Sequence, residues 1–274
     1  MEKNNTEVWI DDQGAVFSAD KQKLLHCPDV EEYVIPNHAE YISPYAFDTA
    51  PRLKKIDFNR VREIPERKET SKFEVPDFHG GGWYGDYSTA YHDKYHGLFE
   101  KCPFVEKVEF GECMTKIAPY ALAGLKNVKS LNTRASIDIT TLQGLDSLKE
   151  LATKLIQPHS WYPSWSDYSI DFVDSNGREV KQGGNGRYTR WERVELLPSL
   201  ETCYFYDVCL SPSWLFNIIC ELASCKNIKQ ITLPKFEKEE LDNYLRKRKD
   251  NQKDSLHDLP QKNGSGQLIN YLWE

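Results

Sequence analysis

The sequence predicts an α/β solenoid in which short parallel strands stack unit upon unit. Three observations carry that prediction. First, an apolar triplet spaced +3 and +2 recurs as Leu53/Ile56/Phe58, Val105/Val108/Phe110, Val128/Leu131/Thr133, Leu148/Leu151/Thr153, Leu200/Cys203/Phe205 and Ile228/Ile231/Leu233. Its last two members alternate as one face of a strand does. Second, whole stretches return: 46–58 aligns without gaps with 98–110, 42–47 with 117–122, and 122–128 with 142–148. Third, successive triplets start 52, 23, 20, 52 and 28 residues apart. Steps in the twenties suit one strand and one return per unit, and the two long steps mark insertions.

Composition bounds the function. The chain has 274 residues, 35 basic and 42 acidic, for a formal charge of −7. A net anion is not drawn to nucleic acid or to an anionic membrane. No run approaches the roughly 20 apolar residues of a membrane span. No nucleic-acid partner and no membrane insertion are therefore expected. The first seven residues are polar and contain no apolar leader core, so the expected location is the cytoplasm, or outside the cell if a signal peptide has been removed. Seven cysteines without a C-x-x-C pair read as free core thiols rather than disulfides or a zinc site.

Taken in order, residues 1–30 form a hairpin cap, with 8–25 as its two arms. Residues 31–234 carry the repeats, and 235–274 form a helical cap and tail. Over 236–249 the acids come first (Glu237, Glu239, Glu240, Asp242) and the bases last (Arg246, Lys247, Arg248, Lys249), an order that complements the helix dipole. Phe236, Leu241, Tyr244 and Leu245 make the candidate buried stripe. The tail 268–273 is placed to dock back. A single unit cannot bury its own apolar face, so units must stack and both ends need covers.

Tyr33-Val34-Ile35-Pro36, Ile42-Ser43-Pro44-Tyr45-Ala46-Phe47 and Leu53-Lys54-Lys55-Ile56 together resemble the BspA-type leucine-rich repeat. Cys102 and Cys225 match that family's small or cysteine position. The resemblance implies a leucine-rich-repeat fold and a bacterial protein used for protein–protein interaction or adhesion, often secreted.

The insertions run from about 65 to 97 and from about 157 to 191. They hold Trp83, Tyr84, Tyr87, Trp161, Trp165 and Trp191 among many aromatics. Large loops on a rigid scaffold carry binding, and Trp and Tyr dominate interface hot spots. These six residues, with Tyr204 on the nearby strand face, are the candidate partner contacts; packing the insertions onto the scaffold is the competing role. Because both follow equivalent apolar positions, Ile64 and Leu155, they are expected to flank a shared groove. Asn176-Gly177 suggests a hairpin inside the second, although Ile170-Asp171-Phe172 also imitates Ile56-Asp57-Phe58 and reads equally as a degenerate repeat.

Chemistry is weakly signalled. His92 and His96 would share one face of a helix, with Asp93 or His79 as a third metal ligand; Tyr91 and Tyr95 have the same spacing, so a packed aromatic face explains it as well. His26-Cys27 are neighbours that would point to opposite faces of a strand. Gly183-Gly184-Asn185-Gly186 lacks the Lys-Ser/Thr of a phosphate loop. The expectation is a non-enzymatic repeat protein without cofactor or metal that binds another protein, with a cytoplasmic inhibitor or immunity-type protein as its special case. The alternatives are a secreted or surface adhesin, and a metal protein or enzyme using the His/Tyr-rich insertion.

Overall fold

The computed structural model describes residues 7–76, 87–137, 139–142, 144–156, 170–173, 179–182, 197–250 and 258–274. The chain opens with an antiparallel meander, β1 (Val8–Ile10), β2 (Val16–Ser18) and β3 (Lys23–His26). Asp11 shapes its first turn: one carboxylate oxygen accepts the N–H groups of Gln13 and Ala15. The other accepts the Tyr33 hydroxyl at 2.7 Å and so ties the meander to the first repeat.

Two short strands make up each of the next units: β4 (Glu32–Val34) with β5 (Tyr41–Ile42), then β6 (Lys55–Asp57) with β7 (Glu63–Ile64). The first insertion contributes β8 (Lys68–Pro76) and β9 (Tyr87–Tyr95). A third two-strand unit follows as β10 (Lys107–Glu109) and β11 (Lys116–Ile117). Thereafter the two strands of a unit fuse into one, as β12 (Ser130–Ile137) and β13 (Glu150–Ile156). The second insertion contributes β14 (Ile170–Val173) and β15 (Glu179–Gln182), and β16 (Thr202–Cys209) is the next fused strand. Helix α1 (Pro212–Ser224), β17 (Gln230–Leu233), helix α2 (Glu237–Asp250) and β18 (Asn270–Trp273) complete the chain.

The expected single ladder through Ile56, Val108, Leu131, Leu151, Cys203 and Ile231 resolves into two ladders. In the first, Tyr33, Ile56 and Val108 are in parallel register across β4, β6 and β10. Leu131, Leu151, Cys203, Ile231 and Tyr271 continue it across β12, β13, β16, β17 and β18. No pairing among the described residues joins β10 to β12, so this ladder is interrupted there. The second ladder spans the gap: Ile64 pairs with Ile117, Lys116 with Ser136, and Ile137 with Leu155 and Leu155 with Val208. The fused strands belong to both ladders, through register shifts at 132–136 and 153–154. The result is a seven-stranded parallel sheet ordered β18-β17-β16-β13-β12-β11-β7, beside the three-stranded sheet β10-β6-β4.

All the triplet residues are buried except Phe110, which packs against the core half-covered. Neighbouring units are also stitched by side chains. Asn127 and Asn227, at equivalent positions, donate to the carbonyls of Pro103 and Pro198 in the preceding unit at 2.9 and 2.7 Å. At the corner between paired short strands, Asn59 takes a left-handed backbone (φ 47°) and donates to the Ile35 carbonyl at 3.0 Å. On its other side Gly111 comes so close that an added Cβ would lie 1.3 Å from the Asn59 carbonyl oxygen. Three successive units are thereby locked at one corner.

Some expectations need correction. With Ile231 and Leu233 turned into the core, Thr232 would face outward by alternation, yet it is 1% exposed; Tyr204 and Leu272 flank it in register on the two neighbouring strands. Phe236 is 64% exposed and outside the buried stripe, since α2 begins one residue later; Leu241, Leu245 and the partly buried Tyr244 do pack inward. Ile170-Asp171-Phe172 is not a degenerate repeat but part of the hairpin β14–β15. Helix α1 was not anticipated; it buries Leu215, Phe216, Ile218, Ile219 and Leu222. None of the seven cysteines forms a disulfide. Burial pushes the Cys102 thiol up to about 12 and the Cys225 thiol up to about 11, and it raises Cys27 and Cys203 as well.

Candidate partner-binding surface

Both insertions leave the second ladder, the first after β7 and the second after β13, with β11 and β12 lying between those strands. Instead of flanking a groove, they meet. β8 and β9 form an antiparallel hairpin with unbroken register from Lys68↔Tyr95 to Pro76↔Tyr87. β14 and β15 form a second hairpin, and β14 pairs parallel with β9 at Asp171↔Lys94 and Phe172↔Tyr95. The four strands make one sheet, ordered β15-β14-β9-β8.

The root of the first insertion is held by charge. Arg67, its side chain only 10% exposed, makes a two-pronged contact with Asp48 at 2.7 and 3.1 Å. Its guanidinium also lies 5.0 Å from the centre of the Tyr45 ring. A fork-to-fork pair of this kind fixes orientation as well as charge. The Arg67 carbonyl accepts the His96 N–H at 2.9 Å and closes the hairpin.

Residues 87–95 are a strand, so His92 and His96 do not share a helix face. A period of four fits a strand's alternation as well as a helix turn, but a rise of about 3.3 Å per residue separates the two too far to hold one metal ion. His96 instead sits with Nδ1 3.1 Å from a Glu100 carboxylate oxygen and Nε2 3.9 Å from Glu69. Among the described residues no three His, Cys, Asp or Glu side chains gather as a metal site.

Of the sequence-predicted contacts, Trp83, Tyr84, Trp161, Trp165 and Trp191 lie outside the described residues. Tyr87 begins β9. Tyr204 stands on the outer face of β16, and the structure adds companions that the sequence reading passed over. The Tyr206 ring, 37% exposed, lies 5.0 Å from that of Tyr204. Its hydroxyl donates to the Asn132 side-chain oxygen at 2.7 Å, across two strands. Arg134 lies 5.5 Å over the same ring. Lys154 pairs with Asp207 at 2.5 Å beside them. Burial and the nearby Glu274 carboxylate raise the Tyr204 phenol. The register placing Asn132, Ala152 and Tyr204 in one row was available from the triplets, and alternation puts Tyr206 on the same face; its contact with Asn132 was not legible, because it depends on the register of β12, β13 and β16 around the bulge.

Stacked units, each with a parallel strand and a turn or helical return, define a repeat architecture. The family model for the BspA type leucine-rich repeat region matches in six copies over residues 16–68 and 93–153. The repeats of those segments are similar to that repeat type; the units of β16 and β17 lie beyond the match but continue in register. The crystal structure of the pneumococcal vaccine antigen PcpA is similar at 14% identity and a TM-score of 0.47, over all of this chain and 49% of that one. The chain thus spans about half the length of that protein. No curated protein matches the sequence. Among the described residues, no helix is long and apolar enough to cross a membrane.

Proposed function

We propose that this chain is a non-enzymatic protein-binding scaffold. Residues 31–234 are one solenoid, 1–30 its N-terminal cap and 235–274 its C-terminal cap. The observation that carries the reading is the cluster of Tyr204, Tyr206 and Arg134 on a face that also carries the ion pairs Lys149–Glu201, Lys229–Glu201 and Lys154–Asp207. Tyr and Arg held in place before binding lose little entropy on contact, and they are the residues from which hot spots are built. Their position beside the strand from which the second insertion leaves supports one binding region shared with Trp83, Tyr84, Tyr87, Trp161, Trp165 and Trp191. A cytoplasmic inhibitor or immunity-type role, in which the face caps a partner, is the specific form of this reading.

The test is affinity capture from the native host, read by mass spectrometry, with the wild type, the Tyr204→Ala/Tyr206→Ala variant and the Trp83→Ala/Trp161→Ala variant. A partner held by the wild type should bind each variant at least about 30-fold more weakly, the equivalent of about 2 kcal/mol, with the melting temperature unchanged. The same proteins retained by both stable variants would overturn the site.

A further inference from the structure

The four-stranded insertion sheet ends on a strand unlike the others. β8 is nine residues long, and no strand among the described residues pairs with its outer edge. We propose that this edge pairs antiparallel with β8 of a second copy of the chain, joining the two insertion sheets into one eight-stranded sheet.

The backbone fixes which groups are offered. His96 donates to the Arg67 carbonyl, so Arg67 and His96 are a hydrogen-bonded pair of the β8–β9 ladder. Register runs without a shift from there. Because hydrogen-bonded and non-bonded pairs alternate, residues 69, 71, 73 and 75 turn their N–H and C=O toward β9. Lys68, Thr70, Lys72 and Glu74 turn theirs away from it. Pro76 would be next in that outward set, and its missing N–H ends the template there.

One register uses all four outward residues on both copies. It puts the two-fold axis at Ser71 and opposes Lys68 to Glu74 and Thr70 to Lys72, each twice. Four such pairs supply about eight hydrogen bonds. The same register opposes unlike charges at both ends and like charges nowhere: Glu69 meets Phe73, and Ser71 meets itself. Slipping by two residues in one direction sets Lys68 against Lys72, and in the other it sets Lys72 against its own copy and brings Pro76 into the ladder opposite Lys68. The sequence is thus self-complementary where overlap is greatest. A closed two-fold contact of this kind is also the commonest form of self-association.

The test is sedimentation equilibrium of the full chain across a hundredfold range of concentration. The wild type should approach twice the chain's 31.8 kDa. Lys68→Glu should weaken dimerisation at least about tenfold, and Lys68→Glu/Glu74→Lys should restore it, because the swap exchanges charges at both ends. Thr70→Pro removes an outward N–H but no β8–β9 hydrogen bond, so it should give a monomer with unchanged circular dichroism. A wild type that stays monomeric, whether or not it captures an extended peptide, overturns the proposal. So does a dimer that neither Thr70→Pro nor Lys68→Glu weakens.

Discussion

The first three repeat units and the later ones solve the same packing problem with different backbones. From the core residue of the first strand to that of the second, the early units count nine, eight and nine residues: Tyr33 to Ile42, Ile56 to Ile64, Val108 to Ile117. The later units count six, four and five: Leu131 to Ile137, Leu151 to Leu155, Cys203 to Val208. The longer interval forces the chain round a corner, and the shorter one lets it run straight with a bulge. The corner is gripped by single features, such as the left-handed Asn59 and the contact at Gly111. The straight units are held by long parallel pairings and, after β16, by helix α1. Interval length therefore decides whether stability is concentrated at a few positions or spread along a ladder.

The largest expected effect tests whether the two regions unfold together. Ile56→Ala and Ile231→Ala each remove a fully buried side chain and should cost about 2–5 kcal/mol. In chemical denaturation followed by far-ultraviolet dichroism, a single transition shifting for both means one cooperative body. A split transition in only one variant would separate the regions. Next in size, Gly111→Ala drives a methyl into the Asn59 carbonyl and should cost about 1–3 kcal/mol. The loss should show as lower hydrogen-exchange protection at 33–59, with β13 and β16 little changed; equal loss everywhere would erase the distinction.

Alkali should load both regions alike. The buried thiols Cys27 and Cys102 in the early units, and Cys203 and Cys225 in the later ones, all have pKa values raised above the ordinary 9.0 by burial. Below pH 9 both states keep the proton. Above it the unfolded chain ionises first, so stability falls as pH rises from 9 toward the folded values. At pH 10 the loss is about 1 kcal/mol per buried thiol, seen as a lower melting temperature that Cys102→Ala makes less steep. The smallest effect concerns the stitches between units. Asn127→Ala and Asn227→Ala each delete one hydrogen bond to a preceding carbonyl and should cost about 0.5–1.5 kcal/mol. Equal values would show that the stitch is indifferent to the strand geometry around it.

The triplets made the core legible because burial demands the same residue type at the same place in every unit. The intervals that separate cornered from straight units were equally visible, though their meaning depends on backbone geometry. Helix α1 had its signal in Ser211-Pro212 and the apolar series Leu215, Ile218, Ile219 and Leu222; an expectation of short returns concealed it. The strand β9 was obscured because His92 and His96, and Tyr91 and Tyr95, repeat at an interval common to both periodicities. The meeting of β9 with β14 left no local trace, since pairing between residues 94–95 and 171–172 depends on where the intervening units carry them. Of the candidate site, Tyr204 and its neighbour Tyr206 were legible from alternation, whereas the contacts of Tyr206 with Asn132 and Arg134 depend on the register of three strands.

The pairing of β9 with β14 also imposes an order in time. More than seventy residues separate the partners, and among the described residues two residue pairs join the strands. Closing so long a loop costs entropy that so short a contact does not repay. The intervening units must therefore assemble first, each against its neighbour, and bring the two hairpins within reach. Seen as a clock, the insertion sheet is the last hand to move when the chain folds and the first to move back when it opens.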